Sequence, residues 1–307
     1  ESDLGTQIGS FFRALNDLAA APSDLAPRAV AIERGNSLAD AFNSTAVQLE
    51  QLKKATLDRT SEAITSLNTI TKELASVNDK ILSASQSGRS PNSLLDLRDK
   101  LIGEISKLAD VTATYTDRGV ANVTIGASGV GPSLISGTKS TNVGFIERYD
   151  KIGGLQIILN PLASKTPTSQ LSSGKIAGLS EAYGSVRGVI DQINSLAAEL
   201  STRLNRQHRL GVALDGSAGV DLFSTISVDA IRSTTTSADV NAELLVIDAN
   251  KLPSNGLELT YSTETEVWNL SNSELGHIAS GRKTIKGPGF EITVSGVAKG
   301  GDSFRIA

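Results

Sequence analysis

Residues 23–87 read SDLAPRAVAIERGNSLADAFNSTAVQLEQLKKATLDRTSEAITSLNTITKELASVNDKILSASQS. This stretch decides the fold. Its sole glycine is Gly35 and its sole proline is Pro27. Pro27 falls in the first turn of the helix that the stretch predicts, where a missing N–H costs little. Ser23 and Asp24 are ready N-caps after the break at Pro22, and Gly88 ends the run. A helix of roughly 60 residues is about 90 Å long, whereas an ordinary helix has about 11–12 residues. A compact domain cannot cover such a length. The rest of the chain must lie along this helix or hang from it.

The helix carries an apolar seam. Phe42, Thr45, Leu49, Leu52 and Thr56 step by three and four, and the pattern resumes at Ala63, Leu67, Ile70, Leu74, Val77 and Ile81. Such spacing puts one narrow stripe on one side, as in a helix that packs on another. The middle (Lys53, Lys54, Asp58, Arg59, Thr60) is polar, and a skip there shifts the register. The stripe reads most simply as bundle core within the chain. A seam kept for another chain is the sharper alternative.

The chain has 307 residues and a net charge of −4, and a soft prior of about 150 residues per domain suggests two or three domains. Aromatic residues make up only 4%, which points to thin helical seams and small sheets rather than one large core. No apolar run approaches the roughly 18 residues that span a membrane, and no signal peptide is visible. The chain contains no cysteine, which excludes disulfides, thiolate metal sites and a cysteine nucleophile. Slight acidity argues against nucleic acid, because phosphate binding needs clustered Lys and Arg. The one basic group, Arg203, Arg206, His208 and Arg209, falls at the end of a predicted helix, where cations favour the dipole. The chain starts at Glu1 and has no Met, so it is expected to be an internal part of a longer protein.

Working outward, residues 3–20 predict a short amphipathic helix with Leu4, Ile8, Phe11, Leu15 and Leu18 on one face. After the long helix, Gly88-Arg89-Ser90-Pro91-Asn92 reads as a turn. Ser90 can cap the next helix with Pro91 at its first position, or Ser93 with Asp96 can form a capping box. That helix runs to about Ala109 with Leu94, Leu97, Leu101, Ile105 and Leu108 on its apolar side. So short a loop makes the two helices antiparallel neighbours.

From Val111 the period changes to that of strands. Thr112–Thr116 and Val120–Ile125 predict a hairpin around Asp117-Arg118-Gly119. Short strands near Ser133–Ile135, Asn142–Arg148 and Gly154–Leu159 follow, enough for one small sheet domain closed by Pro161 and Pro167. A second long helix is predicted over Ser173–Leu210. Ile176, Leu179, Tyr183, Val186, Ile190, Ile193, Ala197, Leu200 and Leu204 alternate steps of three and four without a miss, and Gly211 is a plausible stop. Its simplest partner is the helix of residues 23–87, with Leu67 and Leu74 beside the Ile190–Leu204 edge. Strand patterns then fill the chain to its end: Ser224–Val228, Leu244–Ile247, Leu257–Thr263, Glu266–Leu270, Phe290–Val294 and Phe304–Ala307. Ser254-Asn255-Gly256 and Lys286-Gly287-Pro288-Gly289 read as turns, and Trp268 as the core anchor.

The expected fold class is therefore α+β and multidomain: a long antiparallel helical rod or bundle with two small all-β domains attached. Residues 1–111 and 172–212 form a discontinuous helical domain, 112–171 a small β domain, and 213–307 a second β domain expected to continue past Ala307. The candidate functional residues are the packing seam: Leu49, Leu52, Leu67, Ile70, Leu74, Val77, Ile81, Leu101, Ile176, Leu179, Tyr183, Val186, Ile190, Ile193, Leu200 and Leu204. Gly35 and the polar patch Lys53–Thr60 are the expected soft points of the rod.

No catalytic, metal or cofactor pattern stands out. His208 and His277 are the only histidines, and neither sits in a metal or triad pattern. There is no P-loop, no G-x-S-x-G and no nucleotide-binding G-x-G-x-x-G opening a helix after a strand. Asp215 to Asp221 bears a faint likeness to a calcium loop but lacks its ligand spacing, and a structural turn is the better reading. Asp96 and Asp99, with Arg98 and Lys100 beside them, read as a solvated helix face.

Several stretches together resemble the family of the bacterial flagellar hook-associated protein 1. They are Phe11-Phe12-Arg13-Ala14-Leu15-Asn16-Asp17-Leu18-Ala19 followed by Pro22 and Arg28-Ala29-Val30, then Leu94-Leu95-Asp96-Leu97-Arg98-Asp99-Lys100-Leu101. Ile193 through Ser224 follows, with Leu204-Asn205-Arg206-Gln207-His208, Leu214-Asp215-Gly216 and Asp221-Leu222-Phe223. The last is Gly300-Gly301-Asp302-Ser303-Phe304. The resemblance implies a secreted structural adaptor at the hook–filament junction, exported unfolded. Its implied partners are the hook protein, the second hook–filament junction protein, copies of itself, and an export chaperone for the full-length chain. No cofactor, nucleic acid or membrane is implied. The family's terminal polymerisation segments are not in this sequence, so the chain alone is expected to be a monomer. The alternatives are a related axial protein (the second junction protein or flagellin) or a cell-surface adhesin with a helical stalk. A secreted hydrolase would need a pocket of convergent carboxylates.

Overall fold

The computed structural model describes residues 3–87, 91–147, 154–162, 165–168, 171–213, 215–224, 227–229, 231–232, 236, 239–247, 256–272 and 275–306. The elements along the chain are helices α1 (Leu4–Ala20), α2 (Leu25–Gln86), α3 (Asn92–Leu108) and α4 (Gly174–Arg209), with strands between α3 and α4 and after α4. The fold is α+β. The expected caps at Ser90 and the turn at Ser254-Asn255 lie outside the described residues.

Local chemistry accounts for the helix limits. Asp3 caps α1 by accepting the Thr6 N–H at 2.7 Å, and Asp24 accepts the Ala26 N–H at 3.0 Å at the start of α2. The start of α3 differs from the capping-box reading. Pro91 occupies the cap position with no side-chain hydrogen bond. Asn92 is the first helical residue, so Ser93 falls inside the helix and forms no capping box with Asp96. α4 begins at Gly174, with φ +88°, where a Cβ would meet the backbone of Leu108 and Ala109 at 2.9 Å. Only glycine permits that turn and that approach.

The chain divides into two compact units. One comprises the described residues of Leu49–Arg148 and Ile152–Gly188. It holds the second half of α2, α3, the first half of α4 and two antiparallel sheets. The first sheet has the order β1-β2-β3-β4: β1 (Val111–Tyr115), β2 (Ala121–Ile125), β3 (Ser133–Ser136) and β4 (Lys139–Ser140). The second has the order β5-β6-β7: β5 (Val143–Glu147), β6 (Leu155–Leu159) and β7 (Thr166–Thr168). The sequence predicts one sheet here. The ladder breaks because Asn68 of α2 takes the N–H and C=O of Val143, 2.8 and 2.9 Å away, where the first sheet would otherwise continue. Pro167 is tolerated in β7 because that strand is an edge. One apolar core joins Leu67, Leu74 and Ile81 of α2, Leu101 and Ile105 of α3, Ile125 and Leu134 of the first sheet, Ile157 of the second, and Ile176 of α4. Each fully buried aliphatic side chain contributes about 1.5–3 kcal/mol.

The other unit comprises the described residues of Glu1–Gln48 and Val189–Ala307. Its helical part gathers Phe11 of α1, Leu38 and Phe42 of α2, and Ile193, Leu200 and Leu204 of α4. Its β part has two antiparallel sheets, β14-β15-β10-β8 and β13-β12-β11-β16-β9. These are β8 (Ser227–Asp229), β9 (Ile231–Arg232), β10 (Asn241–Val246), β11 (Leu257–Ser262), β12 (Val267–Asn272), β13 (Gly276–Gly281), β14 (Thr284–Gly287), β15 (Phe290–Ser295) and β16 (Ser303–Ile306). Trp268 is buried between Tyr261 and Phe304, in one core with Leu244, Ile285 and Ile292 of the facing sheet. The sequence reading has no strand at β13, where Ile278 stands among Gly, His, Ala and Ser, or at β14. Lys286-Gly287, read as turn, ends β14, and a Cβ on Gly287 would strike the Phe290 ring at 2.1 Å.

Candidate functional site

The structure places eleven of the sixteen seam residues in two separate apolar clusters. Leu67, Ile70, Leu74, Val77 and Ile81 of α2 lie in the same core as Leu101 of α3 and Ile176 and Leu179 of α4. Ile193, Leu200 and Leu204 of α4 pack instead with Leu38 and Phe42 of α2. The register therefore differs from the sequence reading, in which Leu67 and Leu74 stand beside Ile190–Leu204. In one unit the late half of α2 has the early half of α4, and in the other the early half of α2 has the late half of α4. Tyr183 and Ile190 are buried, Val186 and Leu49 are half-buried, and Leu52 is 50% exposed.

Polar side chains complete what the seam begins, and periodicity alone does not reveal them. Asn78, fully buried on α2, donates to the carbonyls of Ala121 (2.8 Å) and Gly137 (2.7 Å) and accepts the Ala121 N–H at 3.1 Å. Asn68, ten residues earlier on the same helix, holds Val143 in the same manner. Each amide presents a donor and an acceptor to one residue of a strand, as a neighbouring strand would. The signal in the sequence is an asparagine on the buried flank of an apolar stripe, where an unpaired amide would be expensive.

Asp96 and Asp99 are exposed on α3, as the sequence reading has them. Arg98, between them, departs from that face. It is buried against the β1–β2 hairpin, donates to the Gly119 carbonyl at 2.5 Å and to Asp99 at 2.8 Å, and lies 4.4 Å from the centre of the Tyr115 ring. On α4, the Tyr183 hydroxyl donates to Glu147 at 2.5 Å and the Ser180 hydroxyl to the Leu155 carbonyl at 3.1 Å, tying that helix to β5 and β6.

The end of α4 forms a clasp. Asn205, buried, accepts the N–H groups of Leu222 (2.9 Å) and Phe223 (2.8 Å) and donates to the Phe223 carbonyl (2.8 Å). Phe223 meets the Phe11 ring edge-on at 5.8 Å, and Phe11 in turn lies 3.3 Å from where a Cβ on Gly35 would be. Gly35 is thus a packing glycine rather than a soft point. His208 Nδ1 reaches the Val220 carbonyl at 2.5 Å, and Arg209 pairs with Asp221 through two hydrogen bonds. The hydrogen bond from Arg209 holds the Asp221 carboxyl below its usual range, and the positive charge of the same guanidinium adds to this. Arg203 pairs with Glu199 one turn earlier. The basic group is thereby largely committed to local structure.

Asp215 accepts both the N–H and the hydroxyl of Ser217, the geometry of a turn, which likewise holds its carboxyl below the usual range. A similar lock closes the Gly300–Phe304 stretch. Buried Asp302 accepts the Lys299 N–H at 2.8 Å, and its own carbonyl accepts from Tyr261. Among the described residues, no three His, Cys, Asp or Glu are grouped to hold a metal ion, and no helix is long and apolar enough to cross a membrane.

Comparison with known proteins bears on what such an arrangement is for. The model of the family described as the flagellar hook-associated protein FlgK helical domain matches residues 1–223. The flagellar hook-associated protein 1 of Escherichia coli K12 is 26% identical over 316 residues, taking in 99% of this chain and 57% of that protein. The protein of the same name from Bacillus subtilis is 24% identical over 311 residues, 94% of this chain and 60% of its own length. The solved structure of the flagellar hook junction protein FlgK from Burkholderia pseudomallei superposes with a TM-score of 0.70 at 22% identity. It covers 99% of this chain and 56% of that one. The chain thus spans a little over half the length of these relatives.

Proposed function

Because the chain belongs to the family of the flagellar hook-associated protein FlgK, we propose that it is the helical and adjoining β portion of a structural component of the bacterial flagellum. Its place is the hook–filament junction, outside the cell, reached by export. There it links the hook protein to the second junction protein and packs beside copies of itself, with an export chaperone serving the full-length chain. It is a mechanical part and not an enzyme.

The observation that carries this reading is the span of the family match. It includes α1 to α4, the strands between them, and the clasp that ends at Phe223. The division into a discontinuous helical domain (1–111 and 172–212) and β domains at 112–171 and 213–307 belongs to the same proposal. So does the role of the seam from Leu49 to Leu204, which is to make two far-separated helices act as one load-bearing element. Buried large aliphatic side chains suit that role because they resist sliding of one packed element along another, and the bidentate asparagine contacts fix α2 on the strands beside it.

Deleting the encoding gene in its own bacterium tests the proposal. Cells should keep their hooks, lose attached filaments and shed filament protein into the medium, and the intact gene should restore attachment. A deletion strain that still carries attached filaments would overturn the reading.

A further inference from the structure

An open sheet edge is a template on which another strand can pair, and proteins blunt such edges. Among the described strands, every edge but one carries a blunting device. β4 and β9 have two residues each and β8 has three. Pro167 interrupts β7. Asn68 occupies Val143 of β5, and that strand ends in Glu147. β13 shifts register against β12 and begins and ends in glycine, and β14 holds Lys286 and Gly287. The exception is β1. Its five residues, Val111-Thr112-Ala113-Thr114-Tyr115, include no charge, proline or glycine, and its register with β2 is unbroken.

The phase of the ladder fixes which backbone groups of β1 are open. The Gly126 N–H goes to the Asp110 carbonyl and the Thr116 N–H to the Val120 carbonyl. Thr112 and Thr114 therefore make the hydrogen bonds to β2, and Val111, Ala113 and Tyr115 turn their N–H and C=O away from it. Among the described residues, nothing else takes these groups. Ala113 is half-buried and Tyr115 is 53% exposed, so the edge is not roofed over.

We propose that β1 is an interaction edge for a second copy of this chain, the two β1 strands pairing antiparallel about a two-fold axis at Ala113. The phase selects that centre. It sets Val111 opposite Tyr115 of the second copy and Ala113 opposite its counterpart, so each open group meets an open group. The same register faces β-branched Val111 with aromatic Tyr115, and Thr112 with Thr114, pairings that stabilise sheets. Charge favours it too. No like charges stand opposite each other in the strand. Asp110 falls opposite Thr116 of the second copy, beside the Asp117-Arg118 turn, whose Arg118 is exposed and without an ion pair among the described residues.

Two paired five-residue strands make a small interface of the weak, transient class, and the monomer expected of the chain alone is its form at low concentration. Sedimentation of the 307-residue chain should show monomer at about 10 μM and a growing dimer toward about 1 mM. Ala113→Pro removes an outward N–H and no ladder bond, and Thr114→Lys puts a charge on an exposed position of the edge. Each should raise the dissociation constant at least tenfold, and Arg118→Asp should raise it about threefold. Ser140 lies level with Ala113 across β2 and β3, and the chain has no cysteine. A spin label attached through Ser140→Cys should therefore report an intermolecular distance of about 30–35 Å, the width of the joined sheet, and Thr114→Lys should remove it. A chain that stays monomeric at about 1 mM, a dimer without that distance, or a dimer that Thr114→Lys leaves intact would overturn the proposal. The proposal stands apart from the junction reading, which a purely monomeric chain would leave untouched.

Discussion

Replacing Asn78 by Leu should be among the costliest single changes available in the Leu49–Gly188 unit. The two side chains are close in volume, so the effect is not one of cavity. Three hydrogen bonds disappear together: two donated to Ala121 and Gly137 carbonyls and one accepted from the Ala121 amide. Ala121 is fully buried, so its N–H and C=O would find no water. A buried orphan of this kind costs about 1–3 kcal/mol, and the partly accessible Gly137 carbonyl adds less. The sum predicts a loss of about 3–5 kcal/mol. Hydrogen exchange is the right assay, because a chain with two units need not unfold in one step. The Ala121 amide should lose at least a hundredfold in protection. Trp268, the only tryptophan, reports on the other unit, and its fluorescence should be unchanged in native buffer. A loss under about 1 kcal/mol, with the Ala121 amide still protected, would refute the assignment of Asn78 as the clamp on β2.

Further expectations follow from the same contacts. Asn68→Ala should cost less, about 1–2 kcal/mol, because its site at Val143 is only partly buried, and exchange at Val143 reads it out. Leu67→Ala and Ile81→Ala should each cost about 2–5 kcal/mol in denaturant unfolding, whereas Leu52→Ala at a half-exposed position should change little. Arg98→Lys should loosen the Tyr115–Gly119 turn to proteolysis although it keeps the charge, because an ammonium cannot both lie on the ring and span to the Gly119 carbonyl. The clasp should respond to acid. Since Asp221 is held below its usual range in the folded chain, its contribution is present above the ordinary carboxylate value and is lost as pH falls through the lowered folded value. Amide shifts of residues 209–223 should move in that acid window, and Asp221→Asn should abolish the movement.

The helices were legible because their signals are local. Capping residues, one punctuating glycine and a three–four stripe settle where α1, α2, α3 and α4 run to within a few residues. The strands of greatest β propensity were legible for the same reason, and Trp268 stood out as an anchor. What escaped depends on distant partners. The register of α2 against α4 cannot be read from either stripe, because each stripe offers several equivalent fits at heptad spacing. Two sheets rather than one follow from a single asparagine reaching Val143 across 75 residues. The solvated face of Asp96 and Asp99 was legible, but not the departure of Arg98 from it. Only the hairpin folding over Arg98 reveals the burial. Strand β13 has one residue of high β preference, Ile278, and β14 only Thr284 and Ile285, too short a signal to read; β12 and β15 supply their ladders.

The asparagine clamps also impose a schedule on the chain. Asn68 and Asn78 wait for groups 75 and 59 residues downstream, and the unit they belong to is not complete until the first turns of α4 have arrived at Ile176 to Tyr183. Closing loops of that size is slow. A polypeptide delivered amino end first, whether from a ribosome or from a narrow conduit, thus has no finished unit to jam the passage until well over half of these 307 residues have emerged.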